Sequence, residues 1–432
     1  MNPETTQTDK SAAQSLTFIQ NLLGDYQPRD FAVRLWDGSE WPAEEEPARF
    51  TLVLKHIGSL RRMLHDPSSD LSIGEAYIYD DFDIEGSIEA VYPVAEYLAD
   101  QDWNLIKRIQ IGWELLHLPG TRQHSEGTRQ AATVAGQPHS IDRDRQAVTY
   151  HYNVSNSFYA LWLDRRMIYS CAYFSTPGDD LDTAQERKLD FICRKLNLQP
   201  GERMLDIGCG WGGLVIYAAQ HYGVEAVGIT LSGPQAELAK EYIRMAGLED
   251  RCRVEVRDYR ELEEPGRYDK LVSVGMFEHV GEALLPTYFQ QAYGLLRPGG
   301  LFLNHGIANT APAQRPKSPT FSNRYVFPDG ELVPINVSLH NAEESGFEVR
   351  DVESLREHYA STLRHWVNRL ETQHEEALRF VDEPTYRIWR LFMSGSAYGF
   401  QIGNLNVYQS LLVKSEHGDS GLPLTRADWY SS

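Results

Sequence analysis

One stretch restricts the folds open to this chain more than any other: Arg203-Met-Leu-Asp-Ile-Gly-Cys-Gly-Trp-Gly-Gly213. Met204, Leu205 and Ile207 form a short apolar run suited to a strand buried on both faces. Gly208, Gly210, Gly212 and Gly213 follow, a turn in which no Cβ obstructs a close approach of the backbone. Leu214 to Gln220 then reads as a helix, so the turn aims N–H groups and a helix N-terminus at whatever binds there. Strands and helices go on alternating downstream: Ala226 to Thr230, Arg253 to Val256, Lys270 to Val274 and Leu301 to Asn304, with helices near Pro234 to Ala246 and Leu284 to Leu296. That rhythm predicts an α/β fold with a doubly wound, Rossmann-like parallel sheet, whose ligands sit beyond the C-terminal ends of the strands. Thr230, Asp258, Glu278 and His305 all fall at such ends.

Gly208, Gly210 and Gly213 fit G-x-G-x-x-G, which alone is a weak sign of a dinucleotide. Two features speak against NAD: Asp206 lies inside the strand before the glycines, and Thr230-Leu-Ser232 stands where a ribose-binding acid belongs. The Asp-x-Gly-x-Gly-x-Gly pattern resembles the cofactor loop of S-adenosylmethionine methyltransferases of class I fold. On that resemblance Asp206, with Gly208, Gly210 and Gly212, holds the amino-acid end, and Tyr169 and Ser170 close over its carboxylate. Thr230, Ser232 and Gln235 offer neutral partners to the ribose, and Asp258 with Tyr259 meets adenine; Asp258 is also a natural turn or cap residue.

The net charge of −20 excludes a general nucleic-acid binder, which needs a basic stripe. It also leaves any lipid contact to local basic or apolar patches. The four cysteines are too scattered for a zinc site or disulfide framework, so no metal is expected and a cytoplasmic location is. No apolar run approaches the roughly 18 residues of a membrane span. In order, residues 1–14 read as a disordered N-terminus and 15–118 as a small mixed accessory domain with strands at Phe31 to Trp36 and Arg49 to Leu54. Residues 119–147 read as a linker and 148–432 as a catalytic domain with a helical cap, including a loop or lid at Asn323 to Pro334, a long helix at Leu355 to Phe380 and a strand at Asn406 to Val413.

Tyr150 to Tyr159 and Ile168 to Phe174 are dense in Tyr, His, Asn and Phe, a composition suited to a pocket for an apolar group and a cation. Together with Leu205 to Gly212, Gly228-Ile-Thr-Leu-Ser232, Asp258-Tyr-Arg260, Ser273 to Gly281 and His358-Tyr359, these stretches resemble the cyclopropane-fatty-acyl-phospholipid synthase family, which includes mycolic-acid cyclopropane synthases. The resemblance covers about 148 to 413 and implies that a methylene group passes from S-adenosylmethionine to the cis double bond of a phospholipid acyl chain. It also implies a bicarbonate ion beside the transferred methyl, held by Cys171, Glu278, His305, Tyr359 and the backbone of Ile307. The alternative outcome is a methyl- or methylene-branched chain. A homodimer peripherally bound to the inner face of the membrane, with a lipid-associated accessory domain, is the expected state. Asn153 and Ser155 depart from the His-Tyr-Asp-x-Gly-Asn common in the family, and Asn304-His305-Gly306-Ile307 from Leu-His-Thr-Ile.

Overall fold

The alternating runs near the N-terminus are strands in the computed structural model, which describes residues 3–65, 70–101, 103–118, 120, 131–152, 154–311 and 320–430. β1 (Phe31–Arg34), β2 (Glu40–Trp41), β3 (Phe50–Leu54) and β4 (Phe82–Gly86) form a sheet of order β2-β1-β3-β4, with β1 and β3 parallel. Phe31 stacks on Phe50 at 5.0 Å, so the inward residues of the two parallel strands build one side of a core.

This unit comprises residues 1–131, 316–326 and 381–398, so one contiguous domain from 148 to 432 is not what the chain forms. The reason lies in helix Glu383–Ile402, which carries two buried arginines. Arg387 donates to Tyr77 O and Asp83 Oδ2, each at 3.0 Å, and Arg390 donates to Tyr77 Oη at 2.7 Å. A buried guanidinium needs such partners, and the N-terminal segments supply them alongside Glu383 of the helix itself, 3.0 Å from Arg387 Nε. The N-terminal stretch read as disordered is part of a helix, Pro3–Leu23, in which Ala12, Phe18, Ile19 and Leu23 are buried. Residues 121–130 of the expected linker lie outside the described residues, but from Ile141 the chain is helical (Ile141–Tyr152).

The second unit comprises residues 132–315, 327–380 and 399–432. Its sheet contains β5 (Arg203–Ile207), β6 (Glu225–Thr230), β7 (Cys252–Val256), β8 (Tyr268–Val274), β9 (Leu296–Asn309), β10 (Glu348–Ser354) and β11 (Leu405–Val413), in the order β10-β11-β9-β8-β5-β6-β7. β5 to β9 pair in parallel and β11 runs antiparallel to both its neighbours. Helices Gly213–Tyr222 and Gly233–Met245 bury their apolar faces on one side, and Leu285–Leu295 and Ile335–Glu344 on the other. The strand order reverses at β5, which lies between β6 and β8, and this opens a crevice at the strand ends. β10 was not expected and β9 is longer than expected. The segment 355–380 is a helix only over Arg356–Thr372 and His374–Ala377, and 323–334 contains the end of a short helix, Phe321–Tyr325.

Lys195, fully buried, reaches Glu353 at 2.6 Å and Asp351 at 3.4 Å. Lys195→Met should lower unfolding stability by about 3 kcal/mol, read from the urea midpoint, because it takes the cation from Glu353, while Asp351 keeps Arg426 at 2.7 Å; Lys195→Met with Glu353→Leu should recover part of the loss.

Candidate active site

At the C-terminal end of β5, Gly208, Gly210 and Gly212 have φ of +88°, +54° and +82°, a region that favours glycine. Space is as restrictive as conformation here. A Cβ on Gly208 would lie 2.6 Å from Met276 Cβ, whereas one on Gly210 would meet nothing nearer than Gln235 Nε2 at 4.0 Å. Gly208 and Cys209 both donate to Ile229 O at 2.9 Å, which ties the turn to β6.

Two cavities flank the turn and share Gly208, Gly210, Tyr152, Gln235 and Gly275. The first also takes in Thr230, Asp258 and Tyr259, and the second Tyr169, Ser170 and Asp206. Ser232 and Gly212 line neither. Ser232 caps helix Gly233–Met245 through Gln235 N, and Gly212 starts helix Gly213–Tyr222 in the left-handed region. Asp258 lines the first cavity, but its carboxylate is held by Arg260, with Nε at 2.8 Å and Nη2 at 2.7 Å. Arg260 also reaches Asp144 at 2.8 Å, which locks helix Ile141–Tyr152 over the cavity.

The second cavity is lined by two buried groups of opposite charge, Asp206 and Lys188, of which sequence reasoning missed Lys188. Lys188 is 1% exposed and donates to Ser170 Oγ at 2.7 Å. Asp206 is buried too, and its Oδ1 has no hydrogen-bond partner. Burial pushes the Asp206 carboxyl up to about 7 and the Lys188 ammonium down to about 8, each partly offset by the other's charge. A zwitterionic amino-acid group matches the pair, its ammonium toward Asp206 and its carboxylate toward Lys188 and Ser170. The signal was present in the sequence: Leu181, Ala184, Gln185, Lys188, Leu189 and Ile192 form one apolar helical stripe with a lysine inside it.

The acceptor residues cluster at the ends of β8 and β9. Glu278 Oε1 accepts from Ile307 N at 2.7 Å, while Oε2 is buried with no partner. Burial raises this carboxyl to about 7, against the pull of the Ile307 N–H. The Ile307 amide is therefore engaged by Glu278 and acts on the site through it. His305 is 1% exposed; its Nδ1 faces Gln409 Nε2 at 3.2 Å and its Nε2 has no partner. An amide NH2 can only donate, so Nδ1 accepts and the proton sits on Nε2. Burial holds this ring well below the usual imidazole range, hence neutral. Cys171, fully buried with its thiol pushed up by burial, donates to Leu355 O at 3.7 Å, the carbonyl that also accepts from Tyr359 N.

Aromatic rings connect the two regions. Tyr169 lies 5.2 Å from Trp366, which lies 6.1 Å from Tyr359, and Tyr359 packs on Phe400 at 4.7 Å. His151 stacks on Tyr169 at 5.7 Å and on Phe327 at 4.1 Å. Of the residues that depart from the family pattern, Asn153 lies outside the described residues and Ser155 caps helix Asn156–Trp162. Gly306 is pressed on Phe277, where an added Cβ would sit 2.9 Å from the ring.

A family model described as mycolic acid cyclopropane synthetase matches residues 139–410, and one described as a domain of unknown function matches 18–102. A Pseudomonas putida protein named "Probable fatty acid methyltransferase" is 41% identical over 92% of this chain and 95% of its own length. The Escherichia coli cyclopropane-fatty-acyl-phospholipid synthase is 36% identical over 64% of this chain and 69% of its own length. Among solved structures, a Mycobacterium tuberculosis cyclopropane synthase aligns at TM-score 0.59 and 33% identity, covering 62% of this chain and 97% of that one. A mycolic acid cyclopropane synthase complexed with SAH and CTAB aligns at the same TM-score of 0.59.

Lys188→Met should weaken binding of S-adenosylmethionine at least about tenfold in calorimetry, the worth of one charge-assisted hydrogen bond, with the circular dichroism spectrum unchanged. Equal affinity would remove Lys188 from the donor site.

Proposed function

The chain belongs to the mycolic acid cyclopropane synthetase family of S-adenosylmethionine-dependent lipid methyltransferases, and from that premise we propose that it converts cis double bonds of phospholipid acyl chains into cyclopropane rings. The observation that carries this reading is the pair of buried, unpartnered polar atoms, Glu278 Oε2 and His305 Nε2, behind an aromatic wall.

The alkene carbons attack the sulfonium methyl, a C–C bond forms as the S–C bond breaks, and S-adenosylhomocysteine leaves. The positive charge stays on the adjacent chain carbon, which has no counter-ion of its own. Tyr359, Trp366 and Phe400 offer ring faces to that cation, and ionised Glu278 offers a nearby negative charge. A proton then leaves the new methyl, and the C–H electron pair closes the ring. The two unpartnered atoms fit a bicarbonate ion: Glu278 Oε2 would accept from its O–H, and His305 Nε2–H and the Tyr359 hydroxyl would donate to its oxygens. When bound, it supplies a base small enough to reach the proton. Cys171 donates to Leu355 O, the carbonyl that also anchors Tyr359.

A second reading ends in a branched chain, and the names of relatives favour it. The Pseudomonas putida protein is called a fatty acid methyltransferase, and a Mycobacterium tuberculosis relative, 32% identical, a tuberculostearic acid methyltransferase. If the proton leaves a neighbouring chain carbon instead, a methyl-branched alkene results. Incubation with S-adenosylmethionine and oleoyl phospholipid vesicles, followed by mild hydrogenation, separates the two. The ring reading expects a product one CH2 heavier that takes up no hydrogen; uptake would refute it.

Glu278→Gln should keep donor binding and lose roughly 100-fold or more in turnover, the usual cost of removing one charge-stabilising group. Because this carboxyl is held near 7 and only its ionised form stabilises a cation, wild-type turnover should rise with pH through about 7. That limb should vanish in Glu278→Gln, and an unchanged profile would exclude the assigned role. Bicarbonate-depleted buffer should slow the wild type; indifference to bicarbonate would require a side-chain base.

A further inference from the structure

Helix Leu105–His117, in the N-terminal unit, exposes more large apolar surface than any other described helix. Leu105, Ile106, Ile109, Trp113 and Leu116 are 73%, 77%, 62%, 61% and 68% exposed. The remaining exposed large apolar residues are scattered over several other elements. At about 100° per residue these five side chains fall within an arc of about 100°, one continuous stripe. Scattered apolar residues on a surface need no explanation, but a stripe of this size marks an interaction face.

We propose that this stripe inserts into the surface of an anionic phospholipid bilayer. Charge selects this occupant. The chain carries a net charge of −20, yet the segment 105–117 holds Lys107 and Arg108 against one acid, Glu114. A third basic residue lies near its end, since Arg61 sits 3.2 Å from the Cβ position of Gly120, just past the helix. A cationic, apolar-faced helix on an anionic protein complements an anionic lipid surface, whereas a symmetric contact with a second copy would set the same basic residues against each other. The helix is well formed for the task. Asn104 caps its first turn by accepting from Lys107 N at 2.9 Å, and Trp113, at the edge of the stripe, packs on His117 with ring centroids 4.0 Å apart. A tryptophan at the margin of an apolar face suits the boundary between head groups and acyl chains.

This inference rests on the lipid-substrate reading above only for its purpose; the binding can be measured without catalysis. The full-length chain is sedimented with vesicles containing phosphatidylglycerol, and the double variant Ile109→Glu/Trp113→Glu is compared with it. The wild type should partition onto the vesicles and the variant at least roughly tenfold less, given two large side chains removed from the interface. Turnover of oleoyl phospholipid in vesicles should fall with binding, while turnover of the same lipid in detergent micelles should stay within about twofold. A milder variant, Ile109→Ser/Trp113→Ser, checked by its melting temperature, covers the case in which the glutamates unfold the unit, and should lose binding in the same direction. Vesicle binding equal to wild type in a folded variant would overturn the proposal, as would a change in oligomeric state without a change in binding. Wild-type binding with no lipid product in either medium would leave the docking face standing and refute the catalytic reading instead.

Discussion

The hydrogen bond from the Ile307 amide to Glu278 Oε1 couples the turn after β8 to the C-terminal end of β9, and the proposed chemistry depends on it. A carboxylate in a water-poor site is expensive to ionise, and burial raises Glu278 to about 7. The Ile307 amide, together with the backbone N–H of Glu278 itself, favours the charged form against burial, and Oε2 is left without a hydrogen-bond partner. A second donor on Oε2 would lower the carboxyl further and block the position where a small ion can sit. None at all would leave it protonated. β9 provides the amide and, two residues earlier, His305, so one strand sets both halves of the arrangement.

The donor side solves a similar problem differently. Asp206 and Lys188 are both buried, and each makes the other's charge tolerable. Such a pair gives little stability by itself, since desolvation cancels much of the attraction. It gains most when a zwitterion completes it, which makes it a recognition device rather than a structural one. Beside the other cavity, Arg260 bridges the carboxylates of Asp258 and Asp144. On the proposed reading, the glycine turn stands between a cavity with buried opposite charges, which suits the amino-acid end of the donor, and one with polar groups for its adenosyl end.

Much of the catalytic unit was legible because its strands are continuous apolar runs and its turns are marked by glycine. β5 to β8 lie within a residue or two of their sequence positions. What escaped were elements whose pattern depends on distant partners. β10 has the sequence Glu-Val-Arg-Asp-Val-Glu-Ser and is never fully buried, so it carries no apolar signal; it forms because β11 offers an edge and Lys195 collects its acids. Helix Glu383–Ile402 hides because Arg387 and Arg390 interrupt its apolar face, and distant partners explain them: Asp83, the Tyr77 hydroxyl and the carbonyls of Tyr77, Phe82 and Ile84. Lys188 went unread although its stripe was visible, because a lysine is ordinarily an exposed residue. Tyr169, Ser170, Asp206, Thr230 and Gln235 line the two cavities beside the glycine turn and Glu278 follows β8, whereas His305, expected at a strand end, lies inside β9, which runs on to Asn309. Ser232 and Gly212 turn out to shape helix starts, because a cap and a ligand contact leave the same mark in sequence.

The central claim is that the proton lost after methyl transfer comes from the transferred carbon itself, so that the cation collapses to a ring. Donor carrying a fully deuterated methyl group, supplied with oleoyl phospholipid, tests this in one mass spectrum. The account predicts two deuterium atoms in a product that takes up no hydrogen. Three deuterium atoms would place the lost proton on the acyl chain and contradict it.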